Sequence, residues 1–148
     1  MNDKQLVTAA VDALLVNRDP LAVDRYFGPG FTEHGPLAGD GTEGLREWVS
    51  SLPPAYQYER FRVLAQDDLV AVHGRYQGLG DAPLIAFDLY RVSAGRVVEH
   101  WAGMQPETRQ TASGHTMVDG PTEITEPAAT DTTGAPSFLS KRCFRRGH

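Results

Sequence analysis

The sequence lacks the residues on which several large classes of protein depend. Its single cysteine, Cys143, excludes an intrachain disulfide and any metal site built from several thiolates. It has no glycine-rich phosphate loop and no Gly-x-Ser-x-Gly motif, so neither nucleotide binding nor serine-based acyl transfer is expected. The single cysteine favours a reducing cytoplasm, and no apolar run is long enough for a membrane span or a secretion signal.

The charged and histidine residues narrow the function further. A net charge of -5 is unfavourable for binding nucleic acid, and small uncharged or modestly polar ligands suit it better. The histidines include no pair at i, i+4 spacing, so no metal site is predicted from His34, His73, His100, His115 and His148. What remains is acid and base chemistry by Asp and His side chains.

Composition divides the chain into two parts. A length of 148 residues with 41% hydrophobic and 22% charged residues is typical of one soluble globular domain. Residues 122–148 begin as a low-complexity stretch of Thr, Pro, Ala, Gly and acidic residues, and they end in a short basic tail. Such a stretch cannot bury enough apolar surface to fold alone. We therefore expect a domain over residues 1–121, followed by a poorly ordered extension over residues 122–148.

Three helices are predicted in the first third of the chain. Apolar residues recur at helical spacing over residues 6–14, and Asn2 or Asp3 can cap this helix. Asp19-Pro20 starts a second, short helix, because proline is favoured at the first helical position and aspartate before it can cap. The third helix spans residues 42–51, where the apolar side chains, Trp48 among them, are expected in the core.

The rest of the domain reads as strands. Residues 31–41 are too rich in glycine and proline for more than a short extended piece, which places His34 in a loop. Strands are predicted over residues 56–66 and 69–77, and a hairpin of two long strands over residues 84–105. Four strands after three helices predict an α+β fold, with the helices on one face of a largely antiparallel sheet.

The last hairpin carries the most suggestive pair of side chains. Runs rich in β-branched and aromatic residues flank a three-residue loop at residues 93–95 that ends in glycine. If Val92 and Arg96 are the first facing pair, counting outward puts Asp88 directly across from His100, on the same face of the sheet. The pattern therefore predicts that a carboxylate meets an imidazole.

Asp88 has two interpretations. Its neighbours in sequence are apolar, and a desolvated carboxyl group is a better base at neutral pH if a partner orients it. The alternative is a structural carboxylate that is neutralised by Arg75, Arg91 or His100. Spacing alone supports both equally.

Several short motifs, taken in order, carry a family resemblance. They are FTEHGP at 31–36, DGTEGL at 40–45, VHGR at 72–75, FDLYR at 87–91, GRVVEHW at 95–101 and GHTM at 114–117. The set resembles the SnoaL-like polyketide cyclases, within the larger NTF2-like, ketosteroid-isomerase-like group, over roughly residues 4–121.

The resemblance implies a fold and a site. The fold is a cone-shaped α+β barrel, in which three N-terminal helices close a pocket formed by a curved sheet, and which commonly pairs as a homodimer through the sheet. Asp88 matches the family's acid/base aspartate, and His73 is similar to a histidine on the preceding strand. We accordingly predict Asp88, His73 and His100 as catalytic residues, and substrate contacts from His34, Trp101, Arg75 and Tyr90.

The reaction that the resemblance implies is removal of a proton beside a carbonyl, followed by intramolecular aldol cyclisation or isomerisation of a small carbonyl compound or polyketide. It implies neither a metal nor an organic cofactor. Asp88 would be the base and His73 or His100 the donor to the enolate oxygen. The alternative is a non-catalytic module for binding small hydrophobic molecules or for dimerisation, because this fold is widely reused. Epoxide hydrolysis ranks third, since no two aspartates flank one arginine.

Overall fold

The computed structural model describes residues 1–124. The predicted extension, with its basic tail and Cys143, lies outside the described residues apart from residues 122–124. The described residues form three α-helices, α1 (Asp3–Val11), α2 (Leu21–Tyr26) and α3 (Gly41–Ser50), a π-helical turn (Asp12–Val16), and five strands, β1 (Phe27–Glu33), β2 (Gln57–Gln66), β3 (Leu69–Gln77), β4 (Leu84–Ser93) and β5 (Arg96–Pro106).

The first two helices begin where the sequence predicts. The Asn2 side chain accepts a hydrogen bond from the Gln5 backbone N–H, and the Gln5 side chain accepts one from Asn2, which is a reciprocal capping box. Asp19 accepts from the Leu21 backbone N–H at the start of α2. The buried stripe of α1 and the π-helical turn consists of Leu6, Val7, Ala10, Val11, Leu14 and Leu15. Of the helices in residues 1–124, none is long and apolar enough to cross a membrane.

The sheet has the order β1-β5-β4-β3-β2, and its neighbours pair antiparallel except that β1 runs parallel to β5. The predicted α+β class and largely antiparallel sheet are therefore confirmed. Residues 31–33 are the short extended piece expected within 31–41, but the strand to which they belong begins earlier than predicted, at Phe27. Gly28, Pro29 and Gly30 are accommodated because β1 is an edge strand and its pairing with β5 shifts register between Phe27 and Thr32.

The register of the last hairpin differs from the predicted one. Ser93, not Val92, pairs with Arg96, and the loop has two residues, Ala94 and Gly95, both with positive φ. A bulge at Val98 then shifts the register by one residue. As a result Asp88 pairs with Ala102, and His100 pairs with Tyr90. Asp88 and His100 share a face as predicted, but they are diagonal neighbours and not a facing pair.

The sheet has a covered face and an outer face. α1 packs against β2 and β3, and α3 packs against β1, so the face beneath them holds the core. The buried side chains of this inner face include Val70, Val72, Tyr76, Ala86, Asp88 and Tyr90. Alternate residues of the same strands point to the other side, where Phe87 is 62% exposed. Any side chain of β3, β4 or β5 can therefore be assigned to a face from its pairing.

Candidate active site

A cavity lies between the inner face of the sheet and the helices. The walls are largely apolar and come from Leu14, Phe27, Phe31, Leu45, Trp48 and Met104, among others. The cavity has a volume of about 30 Å³. The cavity is therefore narrow, and a guest larger than a few atoms requires movement of its side-chain walls.

Asp88 is the buried carboxylate of this cavity, with 1% of its surface exposed. Tyr76 donates its hydroxyl proton to Oδ2 over 2.9 Å, and the His100 Nε2 donates to Oδ1 over 2.7 Å. β3, β4 and β5 each supply one of these groups, because their pairing brings positions of equal parity onto the inner face. A buried charge requires such partners, since burial of an unpaired carboxylate is strongly unfavourable.

His100 joins Asp88 to a second buried carboxylate, Glu33. The His100 Nδ1 lies 2.5 Å from Glu33 Oε1, and the exposed fractions of the two side chains are 12% and 3%. Burial lowers the pKa of His100, but the hydrogen bonds to Asp88 and Glu33 outweigh burial and raise the pKa to about 9. His100 is therefore an imidazolium at neutral pH, placed between the carboxyl groups of Glu33 and Asp88.

Tyrosine hydroxyls surround the carboxylate. Burial, followed by the charge of Asp88, raises the pKa values of Tyr76 and Tyr90 well above the ordinary value, so both remain protonated donors. The Tyr90 ring stacks on His100 with a centroid distance of 4.6 Å and lines the cavity. Its hydroxyl makes no hydrogen bond with any described residue, whereas that of Tyr58 is both unpaired and wholly enclosed. Tyr90 thus leaves one hydroxyl donor without a partner among the described residues, two residues from Asp88 on the same face of β4.

The structure brings together Asp88, His100 and Tyr90 from the predicted site, but it places His73 elsewhere. His73 pairs with Phe87 on β4 and therefore faces the outer side of the sheet. There Arg62 donates to its Nδ1 over 2.7 Å, and its ring stacks on Phe87 at 4.3 Å between centroids. Arg62 also donates to the backbone carbonyls of residues 118, 120 and 121. Arg62 therefore ties this segment to β2, and His73, its partner, does not line the cavity.

The other three predicted contact residues also lie outside the cavity lining. His34 stacks on Trp101 at 5.3 Å between ring centroids, and its Nε2 lies 2.7 Å from Glu99 Oε2. Arg75 donates two hydrogen bonds to Glu107, each of 2.8 Å. His73 and Arg75 share a face, because they are two residues apart on β3. Both residues have odd numbers, however, and the side chains of β4 and β5 that line the cavity are those of even-numbered residues. His73 and Arg75 therefore point away from the cavity.

Glu33 and Tyr76 are the members of the network that sequence reasoning misses. Alternation along β3 puts Tyr76 on one face with Val70 and Val72. That this face also carries Asp88 follows only from the pairing of β3 with β4. Glu33 lies in the FTEHGP motif next to His34 and has no local signal of burial. Its contact with His100 depends on the parallel pairing of β1 with β5, which joins residues far apart in sequence.

A metal has no evident place here. Within residues 1–124, no group of three or more His, Cys, Asp and Glu side chains is arranged to hold an ion. The close carboxylates Glu33 and Asp88 are already bridged by the two nitrogens of one protonated imidazole. The arrangement can instead hold, accept or release a proton at the wall of an apolar cavity.

Solved structures share this architecture. IdmH from Streptomyces antibioticus, a proposed polyketide cyclase, is 19% identical, with 70% of this chain and 92% of that chain covered and a TM-score of 0.57. An NTF2-like protein of unknown function from Cytophaga hutchinsonii ATCC 33406 is 18% identical, with coverage of 72% and 92% and a TM-score of 0.62. No curated protein matches the sequence. At these identities the likeness defines the fold, which is NTF2-like.

The family follows from the sequence itself. Residues 7–100 match the SnoaL-like domain, and this match covers more than half of the chain. The chain therefore belongs to the SnoaL-like family within the NTF2-like superfamily. The motif resemblance noted above is confirmed at the level of family and fold.

Proposed function

We propose that this protein is a cofactor-independent acid/base enzyme that cyclises or isomerises a small carbonyl compound of the polyketide type. The observation that carries the proposal is a buried carboxylate, Asp88, at the wall of an apolar cavity, held by two donors and placed beside a free hydroxyl. A base in a dry pocket with a donor for a developing oxyanion is the arrangement that enolate chemistry requires. IdmH, of the same fold, is itself a proposed polyketide cyclase.

In the proposed mechanism, Asp88 takes a proton from the carbon beside a carbonyl group, and the C–H electron pair forms the enolate. The Tyr90 hydroxyl donates a hydrogen bond to the enolate oxygen, in place of the donor role first assigned to His73 or His100. The enolate carbon attacks a second carbonyl of the same molecule, and the resulting alkoxide recovers the proton from Asp88. In isomerisation, Asp88 returns the proton to a different carbon. Neither route needs an oxidant or a reductant.

The charge and shape of the cavity favour neutral, mostly apolar substrates. None of the residues that line it is a lysine or an arginine, and two carboxyl groups, those of Glu33 and Asp88, share the single imidazole of His100. A substrate carboxylate or phosphate placed beside this network would be repelled. A ketone or diketone with one or two rings meets both conditions, if the walls move to admit it.

The second candidate is a non-catalytic binding module. Both Asp88 oxygens already accept hydrogen bonds from the protein, so the network is satisfied without a substrate. This is what a structural carboxylate requires, and it keeps the second candidate open. The two functions differ in one respect: only the enzyme exchanges a substrate proton through Asp88.

Proton exchange tests the proposal directly. The α-protons of 1-indanone and 2-tetralone in D2O are followed by NMR with wild-type protein, with Asp88→Asn and with the exposed control Asp81→Asn. We expect exchange with wild type and with Asp81→Asn, and a loss of roughly 100-fold or more with Asp88→Asn, whose circular dichroism should be unchanged. No exchange above buffer with wild type, or full exchange with Asp88→Asn, contradicts the enzyme and favours the binding module.

We also propose that the protein forms a homodimer through the outer face of the sheet. That face exposes Phe87 and Leu64, which are 62% and 46% accessible, and it also carries Leu89 and Trp101. An exposed apolar patch of this kind is typical of a contact between protein chains. Sedimentation equilibrium decides between monomer and dimer. The cytoplasm is the compartment that we propose, on the ground that a lone cysteine suits a reducing environment.

A further inference from the structure

Glu33 has no role in the mechanism above, yet it is the most closely held carboxylate of the site. It is the last residue of β1 and pairs with His100 of β5. Its Oε1 accepts from the Gly35 backbone N–H over 2.7 Å and lies 2.5 Å from His100 Nδ1. With 3% of its side chain exposed, it is buried as deeply as a core residue. A buried acid requires a reason, because burial disfavours its charge.

The two hydrogen bonds of His100 fix its protonation state. A neutral imidazole has one N–H and can donate to one carboxylate only, whereas an imidazolium has two and can donate to both Glu33 and Asp88. With Asp88 as the only acceptor, the neutral tautomer that carries its proton on Nε2 would be sufficient. Glu33 is therefore the group that makes the doubly protonated ring the favoured form.

Within residues 1–124, the groups around His100 include no competing cation. Glu33 faces it from β1, Asp88 and Tyr90 from β4, and Tyr76 and Tyr58 lie beyond Asp88 on β3 and β2. The helices contribute Leu14, Leu45 and Trp48 to this cavity, none of which titrates. Both charges that act on His100 through hydrogen bonds are negative.

The loop after β1 is packed tightly around this contact. An added Cβ at Gly35 would lie 2.8 Å from Glu33 Oε1 and 3.2 Å from His100 Cε1, so no side chain fits without displacing the pair. The absence of a side chain at residue 35 lets the backbone N–H approach the carboxylate. Glu33 is thus held in place from two sides.

We propose that Glu33 is a positioning residue, which accepts the Nδ1 proton of His100 and so fixes the ring as an imidazolium that donates from Nε2 to Asp88. The charged ring donates to Asp88 Oδ1 and so holds the carboxylate in place for proton abstraction. The catalytic meaning of this inference rests on the proposed function, whereas the charge state of His100 does not.

NMR titration of the His100 ring, in full-length protein labelled with 15N-histidine, tests the inference without a substrate. In wild type we expect both ring nitrogens to be protonated at neutral pH and to titrate near pH 9. In Glu33→Gln the pKa should fall most of the way to the ordinary value of 6.5, because an amide cannot replace the carboxylate charge. Glu99→Gln is the matched control. It removes a carboxylate from β5, the strand that also carries His100, but this carboxylate contacts His34. The His100 titration should therefore be unchanged.

Two results would overturn the inference: a neutral His100 ring in wild type at neutral pH, or an unchanged His100 pKa in Glu33→Gln. If Glu33→Gln does not fold, two measurements still test the inference. The first is the protonation of the ring nitrogens in wild type. The second is the His100 pKa in Gly35→Ala, which should fall because the added side chain displaces the Glu33 carboxylate. Where ketone exchange is observed, Glu33→Gln should also lose activity at a lower pH than wild type. Glu33→Gln could lower the His100 pKa although wild-type protein exchanges no ketone α-protons. That result would contradict the proposed enzyme but support the role of Glu33 in positioning His100.

Discussion

The folded protein should lose stability as the pH rises from 6.5 to 9, because folding raises the pKa of one buried histidine. The ordinary value of 6.5 describes His100 in the unfolded chain, and the bonds to Asp88 and Glu33 raise it to about 9 in the folded protein. Between these values the folded state binds a proton that the unfolded state has released. The stabilisation is fully present below pH 6.5 and is lost as the pH rises through 9.

The size of this loss follows from the same two values. The interval between 6.5 and about 9, at about 1.4 kcal/mol per pH unit, corresponds to about 3 kcal/mol. This is a large share of the roughly 5–15 kcal/mol that stabilises a typical domain. The side chain is 12% exposed, so solvent screens the network only in part.

Urea unfolding at a series of pH values, followed by tryptophan fluorescence, measures the effect. The free energy of unfolding in water should decline between pH 6.5 and 9, and its slope against urea concentration should change little. His100→Gln should remove the decline, and His115→Gln, at an exposed position, should keep it. A free energy that is flat over this interval, or a decline that persists in His100→Gln, would refute the assignment of an imidazolium to the site.

Two further predictions concern the sheet. Gly74→Ala should lower the free energy of unfolding by about 1–3 kcal/mol, because the added Cβ would lie 2.3 Å from the hydroxyl of buried Tyr58. Gly30→Ala is the control: no atom lies within 4 Å of its Cβ position, so it should be nearly neutral in the same urea experiment. Burial and the charge of Arg62 lower the pKa of His73, so stability should also fall as the pH drops below 6.5; a His73 NMR titration at or above 6.5 would contradict this.

The helices, the antiparallel strands and the encounter of Asp88 with His100 can be predicted from the sequence, because each depends on local periodicity. Apolar spacing and a cap define α1, and alternation defines β2 and β3. Alternation along the two strands of the last hairpin is enough to place Asp88 and His100 on one face of the sheet. The predicted direct pairing of Asp88 with His100 is wrong, because Asp88 pairs with Ala102. Local signals therefore predict the half of the site that lies on neighbouring strands.

The other half depends on contacts that no local pattern contains. Glu33 reaches His100 only because β1 pairs in parallel with β5, and residues 28–30 read as a turn when taken alone. His73 and Arg75 occupy the outer face, and deciding which face carries the helices requires the packing of α1 and α3. A family motif was a poor guide here, since FTEHGP holds a site residue in Glu33 and a surface residue in His34.

The site exists because two irregularities in the sheet coincide beside Val98. Regular pairing continued from Val92 and Val97 would set Asp88 opposite Trp101 and turn His100 to the other face; the bulge at Val98 restores the shared face. Regular parallel pairing continued from Phe27 and Val97 would set Glu33 beside Gly103, and the extra residues of β1 return it to His100.

The two irregularities are also in contact, because the position of an added Cβ at Gly28 lies 3.3 Å from Val98 Cγ1. The glycine in β1 thus makes room for the bulged residue of β5. The bulge aligns His100 with Asp88, and the β1 irregularity aligns Glu33 with His100. A sequence feature that reads as a loop is therefore what joins the second carboxylate to the first.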